Sequence, residues 1–65
     1  MKDAGIITNR ETGILLLVKA GFSNHKISQE IGISINTVKY HLKKIYKKLD
    51  VKNRVEAINK FSAIT

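Results

Sequence analysis

The chain has 65 residues and carries 12 Lys or Arg against 5 Asp or Glu, a formal net charge of +7 at pH 7. A domain near this size buries only about 60% of the surface that its unfolded chain exposes, so a roomy catalytic cavity is not expected. Cysteine is absent, which excludes disulfides and thiolate metal sites, and no apolar run approaches the ~20 residues of a membrane span. These limits favour a soluble, cytoplasmic binding module with no enzymatic activity, no cofactor and no metal.

The first predicted helix covers residues 9–20. Thr8 and Glu11 have the spacing of a capping box, in which each side chain accepts a hydrogen bond from the other residue's backbone. Gly21 supplies the left-handed conformation that ends the helix. Gly13, inside the helix, costs roughly 1 kcal/mol relative to alanine, so we expect a packing reason for it. The apolar positions predicted to be buried are Ile14, Leu15, Leu17 and Val18.

Two further helices are predicted at residues 24–31 and 35–49. Ser23 and Ser34 stand at their N-cap positions, and Gly32 ends the first of the two. Only Gly32, Ile33 and Ser34 separate the two helices. A connection this short that contains glycine is typical of a helix-turn-helix, although helical hairpins in unrelated bundles also use glycine.

A fourth helix is predicted at residues 54–62. Asn53 and Glu56 give a second capping-box pattern at its start. Ala57, Ile58 and Phe61 share a face that can join the core. Because the sequence has no proline, no alternating apolar pattern and no repeat, we predict an all-α domain of four helices.

The third predicted helix has two chemically different sides. At about 100° per residue, its apolar positions fall within one narrow arc. The opposite arc is basic, hydrogen-bonding and aromatic, which are the chemical types that read a duplex from its major groove. The apolar arc consists of Val38, Leu42, Ile45 and Leu49, and the polar arc of Asn36, Tyr40, Lys43 and Lys47.

The positive charge is concentrated in the second part of the chain. Residues 1–24 carry a net charge of +1 (three Lys or Arg, two Asp or Glu), whereas residues 25–65 carry +6 (nine against three). Asp50, at its end, is the only acidic residue expected near the third helix. A concentrated basic stripe indicates a polyanionic partner, because binding releases condensed counterions. The alternative is that the lysines only solvate an exposed face. The lysines of this helix are Lys39, Lys43, Lys44, Lys47 and Lys48.

Two motifs at a fixed separation resemble the LuxR-type helix-turn-helix domain: Thr37-Val38-Lys39-x-His41, and Asn53-Arg54 followed by Glu56-Ala57. The resemblance covers residues 7 to about 61, so we interpret residues 1–6 as a flexible lead-in and residues 7–65 as the domain. It implies a bacterial transcriptional regulator that binds duplex DNA as a dimer, with the third helix in the major groove and the fourth helix in the dimer contact. The sequence departs from the family pattern at Gly13, His25, Lys26 and Ser28.

Individual roles follow from the position of each residue. The outward-facing side chains of the third helix that are predicted to read bases are Asn36, Lys39, Tyr40 and Lys43. The residues predicted to contact phosphates, either at a helix start or farther round the basic stripe, are Ser23, Asn24, Thr37, Lys44 and Lys47. His25 and His41 have no ligand partners nearby in the sequence, so a structural role is favoured for both.

A stripe on the fourth helix is the dimer interface that the family resemblance implies; the alternative is an ordinary solvated face, because Val55 is its only sizeable apolar residue. Val55, Asn59 and Ser62 have the spacing of one exposed helix side. The stripe is too small and polar for the ~1,200 Å² of a stable interface, so we expect a monomer or weak homodimer in solution and a dimer on a two-half-site operator.

Other partners remain open at this point. A small basic helical module could bind RNA, an anionic membrane surface or a protein. A membrane is disfavoured because the apolar stripe of the third helix is needed to close the core of so small a domain. Members of the family usually carry a receiver or ligand-binding domain ahead of the DNA-binding unit, so the chain is either an excised C-terminal effector domain or a free-standing member.

Overall fold

Four helices joined by short turns make up residues 7–64, the part of the chain that the computed structural model describes. The expected lead-in at residues 1–6 lies outside this part. No strand occurs within it, which confirms the predicted all-α fold. The helices are α1 (Asn9–Lys19), α2 (Asn24–Ile31), α3 (Ile35–Leu49) and α4 (Arg54–Ile64).

The helix starts follow the predicted caps. The backbone N–H of Glu11 donates to Thr8 Oγ1 at 3.1 Å, and the N–H of Thr8 donates to Glu11 Oε1 at 3.0 Å, so the first capping box is complete. Ser23 and Ser34 each accept a backbone hydrogen bond from the third residue after them. These bonds satisfy N–H groups that the first turn of a helix leaves without partners.

The predicted second capping box is only half right. Asn53 Oδ1 accepts from the N–H of Glu56 at 2.9 Å, as a cap should. The Glu56 carboxylate, however, accepts from the N–H of Lys52 at 2.9 Å and not from that of Asn53. The glutamate therefore binds the backbone one residue before the cap and fastens the turn between α3 and α4.

Left-handed residues end the first three helices. Gly21, after the Ala20 cap of α1, has φ +95°, and Gly32 ends α2 at φ +71°. Asp50 takes the same conformation after α3 at φ +58°, which a short polar side chain tolerates better than most. Two helix ends differ from the predictions: α1 ends one residue earlier, before its cap, and α4 continues two residues farther, since no glycine or proline follows Ser62 to stop it.

The core lies where α1, α3 and α4 meet, with α2 packed mainly on α3. All four predicted apolar positions of α3 are buried. The prediction for Leu17 was wrong, because it is only half-buried at the edge of the core, while the neighbouring Leu16 is 54% exposed. The buried apolar residues are Ile14, Leu15, Val18, Ile27, Val38, Leu42, Ile45, Leu49, Ala57 and Phe61.

An ion pair that the sequence did not indicate connects α1 to α3. Lys48 Nζ lies 2.8 Å from Glu11 Oε1, and the two side chains are 19% and 4% exposed. Burial acts to raise the pKa of Glu11, but the hydrogen bond from Lys48, the Thr8 bonds and the lysine charge outweigh it and hold that pKa below its ordinary value. The view that Asp50 is the only acid near α3 is therefore wrong, since folding brings Glu11 to it.

The expected packing reason for Gly13 is absent. A Cβ built on this residue meets nothing within 4 Å, and the residue is exposed. The glycine therefore weakens α1 without a compensating contact among the described residues.

Replacing Gly13 with alanine is expected to raise the free energy of unfolding by about 1 kcal/mol, because alanine loses less backbone entropy in a helix. In a domain of this size that corresponds to a rise in Tm of roughly 4 to 8 °C in thermal unfolding. Gly32→Ala is the matched control, since its Cβ also meets open space but its φ is +71°. That variant should lose stability. A loss of stability in Gly13→Ala would show that the added methyl group clashes with a neighbour and would contradict the open space around this residue.

Candidate nucleic-acid interface

The polar side of α3 is a continuous exposed surface. Tyr40 is 59% exposed, although it is one of the larger side chains of the domain. Thr37 is half-buried, and its hydroxyl lies 2.8 Å from the hydroxyl of the Ser34 cap. The other predicted DNA-contacting residues of the helix are all exposed: Asn36, Lys39, Lys43, Lys44 and Lys47.

Tyr40 is held by two neighbours on the same helix. Lys44 Nζ lies 5.4 Å from the centre of the Tyr40 ring, within the range of a cation–π contact. The His41 ring meets the Tyr40 ring edge-on, with centroids 5.9 Å apart and planes at 61°. These contacts place the imidazole of His41 and the positive charge of Lys44 beside the Tyr40 ring.

The lysines of α3 divide into two groups. Lys48 is withdrawn toward the protein, where it is paired with Glu11. Within the described residues, none of the other α3 lysines forms an ion pair. The helix therefore presents four uncompensated positive charges to solvent, and these belong to Lys39, Lys43, Lys44 and Lys47.

The start of α2 is tied to the start of α4. Ser23 Oγ accepts from the N–H of Lys26 at 3.1 Å, so its predicted capping role is confirmed. Asn24 Oδ1 accepts a hydrogen bond of 2.6 Å from Arg54 Nη2. The sequence places Arg54 in a capping pattern and in a family motif but does not predict this bond, because the two partners are 30 residues apart and nothing local connects them.

A shallow cavity of about 400 Å³ lies at this junction. Three of its lining side chains are cations, and none is acidic. The lining residues are Asn24 from α2, Lys39, Leu42, Lys43 and Tyr46 from α3, and Arg54 from α4. The structure thus brings Asn24, a predicted phosphate contact, to the same cavity as Lys39 and Lys43, two predicted base contacts.

The stripe predicted for a dimer lies on the outer side of α4. Val55 is 67% exposed, and Asn59 and Ser62 are exposed as well. Ala57 and Phe61 lie on the inner side and are buried, as predicted. The stripe is therefore accessible to a second molecule.

Other kinds of site find no support in the described part of the chain. No cluster of three or more His, Cys, Asp or Glu side chains there could hold a metal ion. No helix among these residues is both long enough and apolar enough to pass through a membrane.

Comparison with known sequences gives the decisive observation. The profile described as "Bacterial regulatory proteins, luxR family" matches residues 5–61, which is most of the chain. The chain belongs to the luxR family. The resemblance inferred from the two motifs is therefore confirmed, and α2 and α3 are the helix-turn-helix of a DNA-binding domain of this family.

Individual relatives agree with this assignment. The HTH-type transcriptional regulator MalT of Vibrio campbellii is 44% identical over 52 residues, which are 80% of this chain and 6% of MalT. The CsgBAC operon transcriptional regulatory protein of Escherichia coli is 42% identical over 57 residues, which are 88% of this chain and 26% of that protein. The response regulator protein VraR of Staphylococcus aureus is 43% identical over 53 residues, which are 82% of this chain and 25% of VraR. This LuxR-family chain thus spans a quarter or less of most of these proteins' lengths.

Proposed function

We propose that this LuxR-family domain binds duplex DNA in a sequence-specific manner and regulates transcription, with α3 in the major groove. The residues that read base edges are Asn36, Lys39, Tyr40 and Lys43. The residues that hold phosphates are Ser23, Asn24, Thr37, Lys44 and Lys47. The observation that carries the proposal is the exposed face of α3, which presents four lysines without acidic partners among the described residues together with the exposed Tyr40, whose ring Lys44 contacts. Lysine ammonium groups on such a face can donate hydrogen bonds to the acceptor atoms of guanine in the major groove.

The burial of the opposite face argues against a membrane partner. Val38 and Ile45 are fully buried, and Leu42 and Leu49 are 5% and 6% exposed. An amphipathic helix that binds lipid needs such an apolar face free, and here it closes the core.

Equilibrium binding to duplex DNA, single-stranded RNA and anionic vesicles tests the choice of partner. We expect the tightest binding to duplex DNA, with an affinity that falls linearly with salt on a log–log scale. Stronger binding to the RNA or to the vesicles at equal salt would contradict the proposal.

The phosphate assignments of Lys44 and Lys47 make a separate prediction. Changing either lysine to glutamine should weaken binding to all duplexes alike and lower the magnitude of the salt slope by about 1, because one phosphate contact is lost. Lys60→Gln removes the same charge from the exposed side of α4 and is the control, with an unchanged slope expected. Altered site preference at an unchanged slope would show that the lysine reads bases.

We further propose that two copies of the domain meet along Val55, Asn59 and Ser62 when they occupy paired half-sites. Support comes from the exposure of Val55, the only sizeable apolar residue of the stripe. Because the stripe is small, the homodimer should be weak without DNA.

Val55→Glu should abolish cooperative occupancy of paired half-sites and leave single-half-site binding and the fold intact, since the introduced charges would face each other across the contact. Native gel titrations of one-site and two-site duplexes measure this. Lys60→Gln changes the net charge equally, outside the stripe, and should keep cooperativity. If Val55→Glu unfolds the domain, or leaves cooperativity unchanged, the interface lies elsewhere.

The matched relatives are much longer than this chain, so they contain further segments that this domain does not include. We propose that the domain supplies DNA binding and that a receiver or ligand-binding domain supplies the signal.

A further inference from the structure

The Arg54 guanidinium has an unusual environment for a cation. Its Nη2 donates to Asn24 Oδ1, but its Nη1 is buried and has no hydrogen-bond partner among the described residues. No carboxylate in this part of the chain pairs with Arg54. A cation partly withdrawn from water without a counter-charge is unfavourable, and an anion placed beside it offsets that cost.

The surroundings of Arg54 suit an anion. The 400 Å³ cavity beside it also receives Lys39 and Lys43 and has no acidic lining residue. Three positive charges around one opening raise the local concentration of anions. Hydrogen bonds from a guanidinium to a phosphate oxygen are charge-assisted and stronger than neutral ones, so an arginine at such an opening is well suited to hold a phosphate group.

We propose that Arg54, held by Asn24, binds a backbone phosphate of the duplex next to the bases that Lys39 and Lys43 contact. This inference rests on the proposed function and adds a residue of α4 to the DNA-contacting surface. Of the two sources of a phosphate group, the DNA backbone is favoured over a free phosphate, because the cavity shares two side chains with the base-reading face. Arg54 would then fix the depth of α3 in the groove through a contact that carries no sequence information.

Two variants test the proposal by different routes. Arg54→Gln removes the cation, and Asn24→Asp gives the guanidinium a carboxylate partner within the protein, which occupies it without deleting it. Each variant should weaken specific and random duplexes by similar factors and lower the magnitude of the salt slope by about 1. Wild type should therefore lose roughly fourfold more affinity than either variant between 50 and 200 mM salt.

Matched controls separate the contact from bulk charge. Lys60→Gln equals Arg54→Gln in net charge, and Asn9→Asp repeats the Asn24→Asp change at the first residue of another helix, α1. Both should keep the wild-type slope. If Arg54→Gln does not fold in thermal unfolding, Asn24→Asp decides, because an acidic residue at a helix start is compatible with the helix. Asn24 is itself a proposed phosphate contact, so Asn24→Asp is compared with Asn24→Ala, which removes the same amide without giving Arg54 a carboxylate partner. Only the further fall of the slope from Asn24→Ala to Asn24→Asp is assigned to Arg54.

The possible failures are distinguishable. An unchanged salt slope in a folded variant overturns the Arg54 assignment while wild-type binding leaves the proposed function intact. A loss confined to one selected sequence also overturns it, since Arg54 would then read a base. NMR titration with inorganic phosphate tests the other source of a phosphate group. If inorganic phosphate saturates the cavity at concentrations below roughly 1 mM and displaces the duplex, the cavity is a site for a free anion and the proposal is overturned. Absence of duplex binding by the wild type would defeat the function and this inference together.

Discussion

Glu11→Ala is expected to lower the free energy of unfolding by about 3 kcal/mol, the low end of the cost of breaking a buried ion pair from one side. The carboxylate closes the capping box with Thr8 and accepts from Lys48 at 2.8 Å, so the substitution removes two interactions at once. It also leaves the Lys48 charge in a site only 19% exposed. The low end applies because the lysine can turn partly toward water. Denaturant unfolding measures the loss, which is a large fraction of the stability of so small a domain.

The charge of Glu11 should also make this stability depend on pH. Its pKa is lower in the folded than in the unfolded state, so its stabilisation is fully present above the unfolded value and is lost as the pH falls through the folded one. The stability difference between wild type and Glu11→Gln should therefore be constant near neutral pH and shrink below the ordinary glutamate pKa of 4.5. A difference that persists unchanged into strong acid would show that the ion pair contributes nothing.

Lys47 and Lys48 provide a matched control on adjacent residues. Lys48→Met keeps the apolar stem but leaves the Glu11 charge without its partner, so it should be clearly destabilising. Lys47→Met removes the same charge from an exposed position and should change the free energy of unfolding by no more than about 0.5 kcal/mol. Equal effects of the two substitutions would contradict a specific role for the α1–α3 ion pair.

The second large effect concerns DNA recognition. Replacing Lys39 or Lys43 with alanine is expected to cost about 1 to 3 kcal/mol on the preferred duplex, the range for one good contact to guanine. The preference at one operator position should relax, because the donor that distinguished the base is gone. Fluorescence anisotropy with the preferred duplex and its single-base variants measures both changes. Both lysines are exposed, so the unfolding free energy should stay near that of wild type.

Random duplexes provide the control for this prediction. Lys39→Ala and Lys43→Ala should each weaken binding to random duplex much less than binding to the preferred site. An equal loss on both would reduce these lysines to phosphate contacts. The claim that these lysines read bases would then be wrong.

Features that depend on short-range spacing could be predicted from the sequence. The Thr8–Glu11 capping box needs only residues three apart, and the α3 core face follows from a rotation of about 100° per residue. Gly21 and Gly32 marked helix ends because few other residues adopt a positive φ at low cost. These local rules were sufficient for the order and approximate bounds of all four helices.

Contacts between helices distant in sequence could not be predicted in this way. Glu11 and Lys48 are 37 residues apart, and Asn24 and Arg54 are 30 apart, so their pairing depends on how the helices pack. The sequence predicts Glu11 as a capping residue alone. In the structure its Oε1 also accepts a hydrogen bond from Lys48 of α3. Arg54 lies within a predicted capping pattern, and nothing in the sequence indicates that it lines the same cavity as Lys39 and Lys43.

The central claim, that this LuxR-family domain recognises a particular duplex sequence through α3, is tested most directly by selecting bound sites from random duplexes. We expect enrichment of a defined sequence arranged as paired half-sites, bound about a thousandfold or more tightly than random duplex at physiological salt. Unenriched pools, with equal affinities and equal salt slopes for every duplex, would reduce the basic face of α3 to a general polyanion surface and contradict the claim.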